Sequence, residues 1–190
     1  MKKVLTKSDI KKYYKQFMLK KIGISGQKKI FDGKVLIIGA GGLGCPLILY
    51  LAYSGVGNIG IVDHDKIELS NLSRQVLFTK KDIGKYKTLV SKKAAKKINQ
   101  RINVKTFTKK LNASNINKIA KSYPIICDGS DNFETRLLIN DYCIKNKKIL
   151  VSSAISRFDG QLFYFDFRKK TPCFRCFMPE IPGLNRNCES

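Results

Sequence analysis

The stretch Lys34-Val35-Leu36-Ile37-Ile38-Gly39-Ala40-Gly41-Gly42-Leu43-Gly44 constrains this chain more than any other. Its first half is a short apolar run with the look of a buried strand. Its second half fits G-x-G-x-x-G, and residues 42–54 follow as an apolar helix. A strand that ends in such a loop and opens a helix is the context in which the pattern means nucleotide binding. The glycines permit a tight turn and let the backbone approach a phosphate. Unpaired N–H groups at the helix start, together with the helix dipole, favour an anion there. The competing explanation is a glycine turn that serves close packing. The loop by itself does not separate a dinucleotide coenzyme from ATP.

The rest of the chain fits the same architecture. Asn58-Ile59-Gly60-Ile61-Val62-Asp63 reads as a second strand. Strand-like runs return at 103–108, 124–127, 149–153 and 161–167. Helical patterns cover 87–101, 114–122 and 132–146. This alternation predicts an α/β, Rossmann-like domain with a mostly parallel central sheet flanked by helices. Residues 1–30 are expected to form an N-terminal helical arm, with an amphipathic helix over 8–21 and Ser8 as its candidate N-cap. Residues 31–190 form the nucleotide-binding domain. Residues 64–79 lack periodicity and read as an ordered loop.

That loop narrows the ligand. Asp63 ends the second strand, where an acid accepts hydrogen bonds from ribose hydroxyls. The following residues include Asp65, Asn71, Arg74 and Gln75. A nicotinamide site has no evident use for such a cluster beside the ribose, whereas a triphosphate does, because Arg74 can hold phosphate oxygens bidentately. Arg74 could equally form an ion pair with Asp65 or Glu68. Lys87 stands at a helix start and could reach a phosphate, or could be one more surface lysine. Asp131 and Asn132 follow the strand ending at Cys127. In an open α/β sheet that places them where ligands bind. Asp131 is a natural Mg²⁺ ligand there, or else the cap of the next helix.

Charge offers a different lead. The chain has 37 Lys+Arg against 14 Asp+Glu, a net charge of +23. Residues 80–121 hold fourteen of the cations and one acid, Asp82. Lysine greatly outnumbers arginine, and arginine is the residue that grips phosphates and reads bases. Ile and Asn are abundant beside Lys, so A/T-rich codon usage accounts for much of the excess. A nucleic-acid partner is therefore not expected. A solvated helix face and a docking surface for an acidic partner both remain open for 80–121. No apolar run reaches a membrane span, and the basic N-terminus lacks the apolar stretch of a signal peptide. The expectation is a cytoplasmic protein with reduced thiols.

In order along the chain stand G-A-G-G-L-G-C, D-H-D-x-I-E-x-S-N-L-x-R-Q-x-L-F, G-x-x-K, D-G-S-D-N-F-x-T-R, G-Q-L and P-C-F-R-C. On these motifs the chain resembles the ThiF/MoeB family, bacterial relatives of ubiquitin-activating enzymes. The resemblance runs from about residue 10 to the end. It implies adenylation of the C-terminal glycine of a small ubiquitin-like sulfur-carrier protein with ATP and Mg²⁺, for thiamine or molybdopterin synthesis. It implies a homodimer, and a sulfurtransferase as a further partner. It places Gly41, Asp63, Asn71, Arg74, Gln75, Lys87 and Asp131 around ATP. Gly39, Gly42 and Gly44, with Asp65 and Asn132, complete the candidate nucleotide contacts. Arg74, Lys87 and Asp131 are the candidate catalytic groups. Alternatives are a non-catalytic relative that binds ATP or a partner without turnover, and an NAD-dependent oxidoreductase.

The resemblance has departures. The family's N-terminal R-Y-x-R-Q reads Lys12-Tyr13-Tyr14-Lys15-Gln16, so Lys15 keeps the charge and loses the arginine fork. Cys173 and Cys176 have zinc-ligand spacing, but a structural site wants four ligands, which leaves half a Zn²⁺ site, a redox pair or two ordinary thiols. Cys188 matches a cysteine that in some relatives receives the activated carboxyl group or joins the sulfur transfer, and it is a further candidate catalytic residue by that resemblance. Against the family the chain reads as C-terminally truncated.

Overall fold

The computed structural model describes residues 5–178. Among these residues six strands form one sheet in the order β3-β2-β1-β4-β5-β6. They are β1 (Lys34–Ile38), β2 (Asn58–Val62), β3 (Asn103–Phe107), β4 (Ile125–Asp128), β5 (Ile149–Ser156) and β6 (Asp159–Asp166). The first five run parallel, and β6 closes an antiparallel hairpin on β5. The mostly parallel sheet is as expected, and among the described residues the hairpin is its one reversal.

Helices cover both faces. They are α1 (Lys7–Lys12), α2 (Tyr14–Phe17), α3 (Gly23–Asp32), α4 (Gly44–Ser54), α5 (Lys87–Ile98), α6 (Ile116–Ala120), α7 (Phe133–Lys145) and α8 (Phe174–Phe177). The side chains of β1 explain the two layers. Leu36 and Ile38 join Ile126, Ile139 and Leu150 in one core. Val35 and Ile37 join Ile48, Ile61 and Ala95 in the other. A strand buried on both faces reads as a continuous apolar run, which is why β1 does not alternate.

The N-terminal helix differs from the expectation. Residues 8–21 do not form one helix. The chain turns at Tyr13, whose ring is buried against Phe31 with centroids 5.2 Å apart. The N-cap is Thr6, not Ser8. Thr6 and Asp9 form a reciprocal capping box, which satisfies two helix-start donors at once. A third helix, α3, lies outside the expected 8–21 segment, and Gln27 ties it to the end of α4 by donating to the Ser54 carbonyl.

The segment 64–79 is ordered, as expected, and its anchors are apolar. Ile67 and Phe78 pack on Cys45 beneath the first turn of α4. An isolated bridge pairs Lys66 with Tyr86. These contacts bring the start of α5 back to the end of β2.

Candidate nucleotide site

The chain leaves β1 toward β2 on one side and returns to β4 on the other. The loops beyond the carboxyl ends of these strands therefore diverge, and a cleft of about 490 Å³ opens between them. Ten of the residues singled out in the sequence line it: Gly39, Gly41 and Gly42 from the first loop, Asp63, Asp65, Arg74, Gln75 and Lys87 beyond β2, and Asp131 and Asn132 beyond β4.

The four glycines do two different jobs. Gly39 has φ +89, and a Cβ there would lie 2.7 Å from the Gly129 carbonyl oxygen. A Cβ on Gly44 would lie 2.0 Å from the Gly39 carbonyl oxygen. Close packing accounts for both, and Gly44 does not line the cleft. At Gly41, however, the nearest atom to a Cβ would be Gln75 Nε2 at 4.0 Å. At Gly42 it would be the Arg74 side chain at 3.7 Å. Internal packing does not demand glycine at 41 or 42. Their bare backbone faces the cleft, as close approach of a ligand requires.

Beyond β2, Asp63 is held rigidly. Its Oδ2 accepts from the Ala40 N–H at 2.7 Å and its Oδ1 from the Asp65 N–H at 2.8 Å. Burial pushes its carboxyl above the usual range, while these bonds and Lys87 act in the other direction. Each oxygen keeps a lone pair for a hydroxyl donor. Gln75 is 2% exposed, and its Oε1 has no hydrogen-bond partner among the described residues. A buried amide oxygen left so costs about 1–3 kcal/mol, which a donor on a bound molecule would recover.

Lys87 is not a surface lysine. It is 6% exposed, and its Nζ donates to Asp65 Oδ2 at 2.8 Å. Its position is fixed because its own N–H donates to the Asp65 carbonyl at 3.0 Å. Arg74 pairs with neither Asp65 nor Glu68. Its Nη1 donates to the Ser70 carbonyl at 3.1 Å, and among the described residues the guanidinium at the cleft has no carboxylate partner. Asn71 is not brought to the cleft. It is buried, and its Oδ1 accepts from the Glu68 N–H to cap a single 3₁₀ turn, Leu69–Asn71.

The opposite wall is built on a buried charge. Asp128, 1% exposed, ends β4 and accepts from Ser130 N–H and Oγ and from Ser152 Oγ. Arg136 on α7 lies 3.6 Å from it and donates through Nη2 to the Ser130 carbonyl at 2.8 Å. This network holds the turn that presents Asp131. Capping belongs to Asn132, whose Oδ1 accepts from the Thr135 N–H at 2.9 Å. Asp131 is therefore released from that job. It is exposed at the cleft and, among the described residues, accepts a single 3.2 Å bond, from Asn132. An exposed carboxylate with no cation partner among the described residues suits a divalent cation as one ligand. Asp63, His64 and Asp65 also bring three ligand atoms within 4.8 Å. Their oxygens already serve backbone donors and Lys87, so they fit a cation less well.

Some lining residues were not singled out in the sequence. Lys109, Lys110 and Leu111 follow β3, and Ala154 and Ile155 belong to β5. Applying the rule about strand carboxyl ends to β3 would have found the first three.

Cys173 and Cys176 do not line the cleft. Their sulfurs are 3.7 Å apart at α8. Two ligands of a tetrahedral zinc stand about 3.8 Å apart, given a Zn–S distance near 2.3 Å. The segment is docked on α7: Phe174 is fully buried, its N–H donates to Asn140 Oδ1 at 3.0 Å, and Arg175 makes two bonds to Asp141. Burial works to raise the Cys173 thiol, but hydrogen bonds from Cys176 and its neighbours outweigh this and hold it below the usual value. Cys188 lies outside the described residues.

The ThiF family model matches residues 13–190. The chain belongs to the ThiF family. A sulfur carrier protein adenylyltransferase of Thermus thermophilus is 39% identical over 181 residues, covering 93% of this chain and 67% of that protein. The adenylyltransferase and sulfurtransferase MOCS3 of Xenopus laevis is 41% identical over 181 residues, covering 95% of this chain and 40% of that one. The chain thus spans between two fifths and two thirds of these curated ThiF-family relatives. Among solved structures, Escherichia coli MccB with ATP superposes with a TM-score of 0.71 at 33% identity, over 79% of this chain and 45% of that one. PaaA superposes with a TM-score of 0.80 at 22% identity, over 92% of this chain and 56% of that one, which shows the shared fold. No helix among the described residues is long and apolar enough to cross a membrane.

Proposed function

We propose that the cleft binds ATP and activates the C-terminal carboxylate of a small ubiquitin-like sulfur carrier as an acyl adenylate. The observation that carries this reading is the pairing of a bare glycine backbone at 41–42 with a buried Lys87 and an Arg74 that has no carboxylate partner among the described residues. That set suits a polyphosphate. It is consistent with relatives named as sulfur-carrier adenylyltransferases and with a neighbour solved with ATP.

The chemistry asks little of the protein beyond position and charge. The attacking carboxylate is ionised at neutral pH, so no general base is needed. An oxygen of that carboxylate forms a bond to the α-phosphorus, and the bond to the leaving pyrophosphate breaks. Negative charge gathers on the phosphate oxygens during this exchange. Arg74 and Lys87 supply fixed positive charge, and preorganised charge of this kind is the dominant contribution in phosphoryl-type transfer. Asp63 takes the ribose hydroxyls. A Mg²⁺ held in part by Asp131 would neutralise phosphate charge when bound. Cys173 and Cys176 are read as two of the ligands of a structural zinc, away from the chemistry.

The test is carrier-dependent exchange of labelled pyrophosphate into ATP. Asp131→Ala should abolish exchange and leave the fold unchanged by circular dichroism. Wild-type exchange in that variant would sink the assignment.

A further inference from the structure

We infer that Phe174 is a positioning residue for the carboxylate that holds the cation: its ring seats Arg136, and Arg136 fixes the peptide that leads into Asp131. This rests on the reading above, in which Asp131 is a ligand of the Mg²⁺ bound with ATP. It gives the cysteine segment a task at the cleft, although neither cysteine lines it.

The path is short and continuous. Arg136 and Asn140 are four residues apart on α7 and so share a face. Asn140 is fully buried, and its Oδ1 accepts from the Phe174 N–H at 3.0 Å. That bond sets the Phe174 backbone, and its buried ring comes to lie 5.6 Å from Arg136 Cζ. Phe133 supplies a second ring at 6.0 Å. Cys173 and Cys176 bracket Phe174, and the Cys176 N–H donates to the Cys173 carbonyl at 3.0 Å, which closes the turn that carries the ring.

Arg136 needs this seat. It is 4% exposed, and its Nε has no hydrogen-bond partner among the described residues. The Asp128 carboxylate stands 3.6 Å from that atom, too far for a hydrogen bond. Its Nη2 is shared between two carbonyls, Ser130 at 2.8 Å and Ser153 at 3.3 Å. A cation over an aromatic face is attracted to it, more strongly where water is excluded. The rings therefore fix the guanidinium where its hydrogen bonds do not. The Ser130 carbonyl belongs to the peptide unit that joins Ser130 to Asp131. Asp128 accepts from the same serine through its N–H and Oγ. With Ser130 pinned from both sides, the direction in which Asp131 leaves the turn is set. Groups that orient the ligand of a metal from behind change metal affinity about 10–100-fold when altered. Gly41, Gly42, Asp63, Arg74 and Lys87 stand on the other wall, beyond β1 and β2, and lie outside this path. A loosened ring should therefore be felt through the cation and not through the nucleotide alone.

The test compares Phe174→Leu with Phe177→Leu in the full chain, by calorimetry of ATP binding across a Mg²⁺ series and in EDTA. Phe177 lies on the same short helix, but its ring packs on Phe163 with centroids 4.7 Å apart. Phe174→Leu should raise the Mg²⁺ concentration that half-saturates the ATP complex about tenfold, with ATP affinity in EDTA unchanged. Phe177→Leu should leave both unchanged. An unaltered Mg²⁺ requirement in Phe174→Leu, or equal shifts in the two variants, would overturn the positioning role and leave adenylation standing. Where Phe174→Leu does not fold, hydrogen exchange in the wild type decides. Coupling between cation binding and docking of the segment is reciprocal, so saturating Mg²⁺ and ATP should slow exchange of the Phe174 N–H about tenfold. ATP in EDTA should not slow it, and equal exchange under the two conditions would overturn the positioning role. Mg²⁺-dependent ATP binding that follows this pattern, without any carrier-dependent pyrophosphate exchange by the wild type, would overturn adenylation and leave the positioning role standing.

Discussion

The two walls of the cleft are held by different means. The glycine loop is held mainly by backbone contacts, Gly39 against Gly129 and Gly44 against Gly39, helped by the Asp63 carboxylate, which accepts from the Ala40 N–H. The 128–132 turn is held by side chains, with Asp128 and Arg136 buried together under Ser130 and Ser152. The first device needs only the right residue at the right spacing, and so shows in the sequence. The second depends on partners from β4, β5 and α7, and shows only in the fold.

Substitutions can break this contrast. The largest effect is expected from Gly44→Ala, since its Cβ would sit 2.0 Å from a carbonyl oxygen that cannot swing away. A loss of about 4 kcal/mol, or about 10 °C in Tm, should appear in thermal unfolding. Arg136→Met should cost about 3 kcal/mol, because it strands the buried Asp128 charge. Urea denaturation measures that loss, and a change under 1 kcal/mol would show that hydrogen bonds alone hold the turn. Gly41→Ala should leave Tm unchanged and weaken ATP binding about tenfold by calorimetry, because a ligand, not the protein, needs that space. A normal affinity would return Gly41 to the packing explanation. Asn132→Ala should be smallest, about 1 kcal/mol for a lost helix cap.

Much of the site was legible because its residues follow strand ends in a regular order. Position and chemistry point to Asp63, Arg74 and Gln75, whereas Lys87 and Asp131 are singled out by the family motifs; all five line the cleft. Other expectations met a different local structure, for identifiable reasons. Asn71 does not line the cleft, because its Oδ1 accepts from the Glu68 N–H in a 3₁₀ turn. The helix over 8–21 broke because Tyr13 gains more from burial against Phe31 than from continuing a surface helix. Lys109 and Lys110 were hidden in a run of lysines where no single one stood out. Ala154 and Ile155 reached the cleft through the β5–β6 hairpin, whose reversal the alternation of strands and helices did not suggest.

The contact between Gly39 and the Gly129 carbonyl has a consequence for how such a chain can change over time. The spacing between the two walls is a backbone dimension, set where no side chain intervenes. Substitution of outer residues, which in this chain are rich in lysine, can repaint the exterior without moving either wall. An insertion in one of the two loops has no such freedom, because it would alter the gap that both share.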